Sequence, residues 1–284
     1  MIKGTTKLLG VIGDPVEHSL SPVMHNAAIE NLNEDYIYLP FPIKSDNLTT
    51  AITGFEAIGV KGFSITIPHK QTIIPLLKEI TPEAKMIGAV NTVWQTETGW
   101  KGTNTDFLGF IAPLKDLNKN WQNISPVILG NGGAARAVVV GCHSLGCREI
   151  YVIGRNKDKL ARFYQSWDNT PIQKALKIHS WDNLEGMVSN TQLLINTTPV
   201  GMYPNINQCP LDDGVMAKIQ PETIVYDLIY TPKPTLFLQK AQAQGATIID
   251  GLEMLVQQGA KALEIWLNQD VPVDIMREAL LKQL

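Results

Sequence analysis

Hydrophobic and polar residues alternate between strand-like and helix-like spacing along the first hundred positions. Short apolar runs bounded by turn residues predict strands at 8–13, 36–41 and 61–67, followed by a hairpin-like pair at 89–94 and 100–102. Apolar residues on one helical face predict helices at 21–32, 45–58 and 81–88. This alternation is typical of a small α/β domain whose sheet is mostly parallel.

The alternation continues in the second part of the chain. A helix running to about residue 117 is expected to cross between the two parts. Strands are predicted at 127–129, 149–153, 174–178, 192–196 and 223–228, and helices at 134–145, 252–267 and 273–284. We therefore expect an α/β protein of two domains, the second a Rossmann-like doubly wound sheet.

Composition narrows the class of protein. With 284 residues, 44% of them hydrophobic and 18% charged, the chain can bury the cores of two domains. A net charge of −3 without a long basic run disfavours binding to nucleic acid or to a membrane surface. The first residues are polar and no apolar segment is long enough to span a bilayer, so we expect a cytoplasmic enzyme. The spacing of the three cysteines and five histidines predicts no metal site.

A glycine-rich turn at 130–135 is the first candidate for binding chemistry. It connects a strand to a helix with the sequence Gly-Asn-Gly-Gly-Ala-Ala. Gly130 permits the tight turn, Gly132 lets a pyrophosphate approach the backbone, and Ala135 lets the helix pack on its strand. The N–H groups at the helix start favour phosphate, so the turn predicts a dinucleotide site. A plain glycine connection is the alternative.

Basic residues after the next strand indicate which dinucleotide binds. Arg155 stands where NAD-binding domains usually carry an acidic residue for the ribose 2′-hydroxyl, and Lys157 and Lys159 follow it. A guanidinium pairs with phosphate through charge-assisted hydrogen bonds, so the cluster favours NADP over NAD. The alternative is that these are solvated residues at the start of the next helix.

Two serines lie near the start of the first helix. Ser21 is predicted to be the N-cap, with Pro22 at the first helical position, and Ser19 precedes it by two residues. Their hydroxyls lie beside exposed N–H groups and suit a carboxylate, since a hydrogen bond to a charged partner contributes about 1.5 to 3 kcal/mol. A purely structural cap is the alternative for Ser21, and the local sequence favours it.

Lys70 and Asp106 are the candidates for proton transfer. A nicotinamide dehydrogenase needs a group that moves a proton as the hydride moves. Lys70 follows a strand end and a proline turn, and Asp106 lies in another loop of the same domain that is expected to face the ligand. A lysine is usually a solvated surface charge, but a Lys–Asp pair can hold a substrate hydroxyl between an acid and an acceptor.

A series of motifs resembles the shikimate dehydrogenase family over nearly the whole chain. In order they are 13–22 (GDPVEHSLSP), 66–70 (TIPHK), 88–92 (GAVNT), 104–106 (NTD), 130–136 (GNGGAAR), 196–202 (NTTPVGM), 226–230 (YDLIY) and 254–258 (MLVQQ). The resemblance implies NADP-linked interconversion of shikimate and 3-dehydroshikimate, a step towards the aromatic amino acids.

The resemblance also implies roles for individual residues. Ser19 and Ser21 would hold the substrate carboxylate, and the ring hydroxyls would be held by Thr66, Asn91, Asp106 and Gln258. Lys70 would be the acid/base residue, with Asp106 orienting it and the substrate. The cofactor residues would be Gly130, Gly132, Gly133 and Ala134 at the pyrophosphate, Arg155 and its neighbour Asn156 at the 2′-phosphate end, and Tyr230, Gly251 and Met254 at the nicotinamide.

The position of Gln258 bears on the domain organisation, because it follows the cofactor domain and yet would touch the substrate. We expect a substrate-binding and catalytic domain at 1–103 and an NADP-binding Rossmann-like domain at 104–245. C-terminal helices at 246–284 would pack back on the substrate domain. The expected partners are the small-molecule substrate and NADP, and the protein is expected to be a monomer or a homodimer.

Two positions depart from the family pattern. Ser64 stands where the family commonly has the asparagine of Asn-x-Thr-x-Pro-x-Lys, which affects the support of that loop. Gly154-Arg155-Asn156 stands where the family usually has Asn-Arg-Thr. The arginine is kept, so NADP remains favoured.

Two other functions compete with the main interpretation. One is a dehydrogenase that prefers quinate or accepts both cofactors, which the retention of the serines, Thr66 and Arg155 disfavours. The other is a non-catalytic regulator that binds NADP and a metabolite. Such a regulator would be free to lose the proton-transfer pair, so the presence of both Lys70 and Asp106 disfavours it.

Overall fold

The computed structural model describes residues 2–284, which divide into two compact units. Within the described residues, unit 1 comprises residues 2–109 and Leu255–Leu284, and unit 2 comprises Phe110–Met254. Unit 1 is therefore formed from two separated stretches of sequence, whereas unit 2 is one continuous stretch.

Unit 1 is built on a mixed six-stranded sheet. Its strands are β1 (Lys7–Gly13), β2 (Tyr36–Pro42), β3 (Gly62–Ile65), β4 (Glu79–Ile80), β5 (Thr92–Thr96) and β6 (Gly99–Thr103). They lie in the order β2-β1-β3-β5-β6-β4. β1 runs parallel to β2 and β3, whereas β5 runs antiparallel to β3 and β6. The predicted hairpin is present, and it makes the sheet less parallel than its β-α alternation suggested.

Helices cover the sheet of unit 1. They are α1 (Ser21–Asn31), α2 (Leu48–Ala57), α3 (Pro82–Ile87) and α11 (Val273–Leu281), while α4 (Asp106–Lys115) and α10 (Leu252–Leu267) each begin in one unit and end in the other. Ile12, Phe63 and Ile65 of the sheet form one hydrophobic cluster with apolar residues of α2. The apolar stripe of α2 therefore explains which sheet face it covers.

The predicted N-cap at Ser21 is wrong. Helix α1 begins at Ser21 itself, the cap position is held by Leu20, and no side chain caps the helix. The carbonyl of Leu20 already accepts hydrogen bonds from the N–H groups of Val23 and Met24. A capping side chain needs a residue with non-helical backbone just outside the helix, and Ser21 is inside it.

Unit 2 contains a fully parallel six-stranded sheet, which confirms the predicted Rossmann-like fold. Its strands are β7 (Val127–Leu129), β8 (Ile150–Gly154), β9 (Leu176–Ser180), β10 (Leu193–Asn196), β11 (Ile224–Asp227) and β12 (Thr247–Ile249). The order is β12-β11-β10-β7-β8-β9, so the winding reverses between β7 and β10. Ligands of doubly wound sheets bind at the carboxyl ends of strands beside that reversal.

Five helices connect the strands of unit 2. They are α5 (Gly133–Leu145), α6 (Lys157–Gln165), α7 (Leu184–Val188), α8 (Asp213–Met216) and α9 (Leu236–Ala243). Helix α5, predicted to start at Ala134, starts one residue earlier. Among residues 2–284, no helix is both long enough and apolar enough to cross a membrane.

Candidate active site

The loops that follow β1 and β3 lie side by side in unit 1. The N–H of Thr66 donates to the carbonyl of Ile12, and the N–H of Asp14 donates to that of Ile67, both at 2.9 Å. A Cβ at Gly13 would clash with the Thr66 side chain, so only glycine permits this close approach. The two parallel strands therefore place the serine loop next to the loop that carries Thr66 and Lys70.

The β5–β6 hairpin places further predicted residues at the same edge of the sheet. Asn91 precedes β5, and its carbonyl accepts a hydrogen bond of 2.7 Å from the N–H of Ile65 at the end of β3. Its own N–H donates to the carbonyl of Thr103 at the end of β6, at 3.0 Å. Asp106 follows β6 by three residues, so Asn91 and Asp106 lie where β3 delivers the Lys70 loop.

Lys70 and Asp106 form an ion pair at this edge. The distance from Lys70 Nζ to Asp106 Oδ2 is 2.6 Å, and the two side chains are only 18% and 7% exposed. The other carboxylate oxygen accepts a hydrogen bond of 2.8 Å from the Asn91 amide, and the Asp106 N–H donates to the Asn104 side chain at 3.0 Å. Asp106 is thus fixed in orientation with one oxygen turned to Lys70. Within the described residues, no group of three or more His, Cys, Asp or Glu side chains could hold a metal ion.

Asn91 also joins this pair to Gln258 on α10. The Asn91 amide lies 3.2 Å from Gln258 Oε1, and the Gln258 amide donates to the Leu255 carbonyl at 2.8 Å. Asn91 Oδ1 accepts from the Thr105 N–H at 2.7 Å. Residues 167 positions apart therefore meet at one amide. Thr105 and Asn104 were not predicted to support the site, although both immediately precede Asp106 in the sequence.

Ser19 and Ser21 lie at the entrance to α1. The N–H of Ser21 donates to Ser19 Oγ at 3.3 Å, and Ser21 is buried whereas Ser19 is half-buried. Because Ser21 is not the N-cap, its hydroxyl is not committed to the helix end. The alternative that Ser21 serves only as a cap is therefore excluded.

The predicted glycine turn in unit 2 is tight at Gly130 and open to solvent at Gly132. Gly130 has a φ of +104°, and a Cβ there would lie 2.8 Å from Thr197 Oγ1. Gly132 is exposed, and no atom lies within 4 Å of the position that its Cβ would take. Helix α5 then starts at Gly133, so Gly133 and Ala134 present backbone N–H groups towards this open space.

A buried carboxylate braces the loops beside that turn. Asp227, at the end of β11, accepts hydrogen bonds from the Asn196 amide at 2.9 Å and from the Thr235 hydroxyl at 2.7 Å. Thr197 Oγ1 donates to the Leu129 carbonyl at 2.7 Å. Burial raises the pKa of Asp227 to about 6, and these hydrogen bonds oppose that rise. Asp227 lies within the Tyr-Asp-Leu-Ile-Tyr motif but was not predicted as a functional residue.

Arg155 and Trp181 follow neighbouring strand ends. Gly154 of β8 pairs with Ser180 of β9, and the Arg155 guanidinium lies 4.9 Å from the centre of a Trp181 ring. Arg155 is exposed at this edge and is supported by a cation–π contact. Asn156 caps α6 by accepting from the Lys159 N–H at 2.9 Å, so its side-chain oxygen is used by the helix.

Of the residues predicted for the nicotinamide end, Gly251 and Met254 are close in sequence, and Gly251 contacts the segment that carries Tyr230. The Gly251 N–H donates to the carbonyl of Ile229, beside Tyr230, at 3.1 Å. A Cβ at Gly251 would clash with the Leu228 carbonyl, so this glycine allows two chain segments to touch. Tyr230 is half-buried, and Met254, in the first turn of α10, is buried.

Comparisons with known proteins agree on one family. Residues 11–93 match the shikimate dehydrogenase substrate binding domain, and residues 251–281 match the shikimate 5′-dehydrogenase C-terminal domain. The chain is 68% identical to the NADP(+) shikimate dehydrogenase of Gloeothece citriformis, over 99% of this chain and 97% of that protein. A crystal structure of a shikimate dehydrogenase with NADP+ is 36% identical, with a TM-score of 0.91 and coverage of 100% and 97%. The enzyme from Thermus thermophilus, solved with NADP(H) and shikimate, is 30% identical, with a TM-score of 0.85 and coverage of 98% and 100%.

Proposed function

The chain belongs to the shikimate dehydrogenase family, and from this membership we propose which of its residues carry the reaction. The enzyme interconverts 3-dehydroshikimate and shikimate by hydride transfer with NADP, a step of aromatic amino acid biosynthesis. The observation that carries our assignment is the 2.6 Å pair of Lys70 and Asp106.

Lys70 is the acid/base residue in this proposal. The dinucleotide held by unit 2 would supply the hydride acceptor in one direction and the hydride donor in the other. In the oxidation of shikimate, Lys70 Nζ takes the proton of the reacting hydroxyl; in the reverse direction it returns a proton to the carbonyl oxygen. Asp106 holds Lys70 in place through Oδ2, while Asn91 fixes Oδ1. A carboxylate oxygen can accept more than one hydrogen bond, so Asp106 also accepts one from the substrate in this proposal.

The remaining polar residues of unit 1 bind the substrate. Ser19 and Ser21 donate hydrogen bonds to its carboxylate, and their proximity to helix α1 adds N–H groups and a favourable dipole. The ring hydroxyls are bound by Thr66, Asn91, Asp106 and Gln258. The pairing of Asn91 with both Asp106 and Gln258 supports this division, since one amide sets the orientation of two substrate-binding side chains.

The residues of unit 2 fit a dinucleotide phosphate. We propose that the backbone from Gly130 to Ala134 binds the pyrophosphate, and that Arg155, with Asn156 beside it, binds the 2′-phosphate. The open position at Gly132 supports the first assignment, and the exposed guanidinium at a strand end supports the second. Tyr230, Gly251 and Met254 are proposed for the nicotinamide end.

The domain roles follow from these assignments. We propose that unit 1 is the substrate-binding and catalytic domain, completed by the C-terminal helices, and that unit 2 is the NADP-binding domain. A cytoplasmic location and a monomeric or homodimeric state remain predictions. The sequence also predicts no nucleic-acid partner.

Replacing Lys70 tests the catalytic assignment. We expect Lys70→Met to lower kcat by about 10² to 10⁴-fold, because the proton loses its acceptor, while shikimate binding measured by calorimetry changes little. Lys61→Met is the matched control, since Lys61 is an exposed lysine of the same unit whose side chain lies near Gln95. An unchanged kcat in Lys70→Met would remove Lys70 from the mechanism.

A further inference from the structure

Tyr38 and Ser64 point to the same face of the unit 1 sheet. Tyr38 on β2 pairs with Leu9 of β1, and Ser64 on β3 pairs with Val11, two residues further along β1. Side chains two residues apart on a strand point to the same face of the sheet. Tyr38 and Ser64 pair with such positions on β1, so their side chains also lie on one face of the sheet.

Helix α1 is fastened to this face at Tyr38. The Asn26 side chain donates to the Tyr38 carbonyl and accepts from its N–H, both at 2.9 Å. The rings of His25 and Tyr38 are stacked, with centres 4.1 Å apart and planes within 10°. His25 Nδ1 lies 2.8 Å from the Ser21 carbonyl, and because a carbonyl only accepts, this nitrogen donates. The position of Ser21 is therefore fixed relative to Tyr38.

The Tyr38 hydroxyl is buried beneath helix α1. Tyr38 is fully buried, and its hydroxyl has no hydrogen-bond partner among residues 2–284. Burial raises the pKa of Tyr38, and the nearby hydroxyls of Ser64 and Ser21 oppose that rise. Both serines are themselves buried. A fully buried hydroxyl that completes no hydrogen bond needs an explanation beyond packing.

We propose that Tyr38 and Ser64 are positioning residues that orient the Ser21 hydroxyl towards the substrate carboxylate. This inference rests on the proposed role of Ser21. A serine hydroxyl carries one proton, so if Ser21 donates to the carboxylate, its oxygen is free to accept from Tyr38. The Tyr38 oxygen in turn accepts from Ser64. Binding of a carboxylate completes the chain of donors, and each bond polarises the next.

Ser64, which departs from the family pattern, has a role in this proposed network. The family commonly has asparagine there, and the sequence left the consequence open. Here a serine on β3 and a buried tyrosine on β2 lie on the same face of the sheet, with β1 between their strands. In the proposed network, Ser64 donates to Tyr38 and Tyr38 donates to Ser21, so Ser64 helps to orient the serine that binds the carboxylate.

The test compares Tyr38→Phe with the unmodified enzyme. We expect KM for shikimate to rise about tenfold, as for the loss of one hydrogen bond in a chain that ends on a charged group, while kcat changes less than about twofold. Tm should stay the same or rise, because phenylalanine removes a buried hydroxyl that lacks a partner. With shikimate methyl ester, the effect on KM should shrink to about twofold or less, since the acceptor is no longer charged.

Tyr36→Phe is the matched control, because Tyr36 lies on the same strand and its hydroxyl faces Lys7. It should leave KM unchanged. An unchanged KM in Tyr38→Phe, an equal rise with the ester, or a rise accompanied by a lower Tm and kcat would each overturn the inference. Ser21→Ala distinguishes the role of Ser21 in binding the carboxylate from the role of Tyr38 in orienting Ser21. If Ser21→Ala raises KM and Tyr38→Phe does not, only the inference fails, whereas an unchanged KM in Ser21→Ala overturns the assignment of Ser21 as well.

Discussion

Two buried ionisable residues respond to pH in opposite directions. Burial lowers the pKa of His25 to about 4, against its hydrogen bond to Ser21, so the folded protein disfavours the charged imidazolium. The stability that depends on neutral His25 is complete above pH 6.5 and is lost as the pH falls towards 4. Asp227 has a raised pKa, so the folded state binds its proton more tightly than the unfolded state does. Its contribution favours folding at low pH.

Asp227→Asn is expected to change how stability depends on pH. In the unmodified enzyme, Asp227 ionises at a lower pH in the unfolded state than in the folded state. Raising the pH from about 4 to about 6 therefore lowers the free energy of unfolding by about 3 kcal/mol. Asparagine stays neutral, accepts from the Asn196 amide and donates to Thr235, so the variant lacks this loss. Urea unfolding at pH 4 and pH 8 measures the difference. Parallel pH profiles for the two proteins would contradict the raised pKa.

At the scale of elements, a glycine and an indole set the position of α10. Trp266, near the end of α10, donates from Nε1 to the Val93 carbonyl at 2.9 Å. Its ring occupies the space above Gly62 on β3, where any Cβ would clash with it. The same helix carries Gln258, which meets Asn91 in the substrate site. The packing at Gly62 therefore affects where Gln258 lies.

Gly62→Ala is expected to destabilise the protein by about 1 to 3 kcal/mol and to raise KM for shikimate. The added methyl displaces Trp266, and α10 moves with it. Gly54→Ala is the matched control: Gly54 lies exposed inside α2, and its Cβ would meet nothing within 4 Å. That control should stabilise the protein by about 0.5 to 1 kcal/mol. Urea unfolding and steady-state kinetics measure both, and equal effects of the two substitutions would contradict the packing argument.

The sequence predicted the elements better than their contacts. Apolar runs and turn residues located the main strands, and α10 was predicted with its observed ends, Leu252–Leu267. The two-residue strand β4 and the edge strand β12 carry too little pattern to be predicted. Ser21 was assigned to a cap because residue type alone cannot tell a helix start from its flank.

The side chains that support the site were harder to predict. Local motifs identified Lys70, Asp106 and the glycine turn, and the geometry brings the first two together. Tyr38 and Asp227 were missed because their surroundings are set by register across the sheet and not by neighbours in sequence. Pairing Asn91 with Gln258 required the family resemblance, since no local pattern joins positions so far apart.

At the scale of the whole molecule, each unit has its own set of candidate ligand residues. Unit 1 holds the proposed substrate residues from both of its sequence stretches. Unit 2 holds the glycine turn and Arg155. The two ligands should therefore protect different parts of the chain.

Hydrogen exchange tests this division. Shikimate is expected to slow exchange of amides around Ser21, Thr66, Asn91 and Asp106, because a ligand that binds the folded state suppresses local opening. NADP is expected to slow exchange around Gly132 and the start of α5. Protection of the Gly132 region by shikimate alone, or of the Thr66 loop by NADP alone, would contradict the proposed domain roles.

The separation of unit 1 into two stretches has a consequence for synthesis on the ribosome. Lys70, Asn91 and Asp106 are translated early, but Gln258 and Trp266 follow only after the whole of Phe110–Met254. While Phe110–Met254 is being synthesised, the sheet of unit 1 lacks the indole that covers Gly62. Once Met254 has been added, unit 2 has its complete sequence and can fold as a continuous domain. The substrate site is therefore completed last, by the arrival of α10. A nascent chain stalled before residue 255 would carry the Lys–Asp pair and Asn91 without the Gln258 side chain that Asn91 contacts.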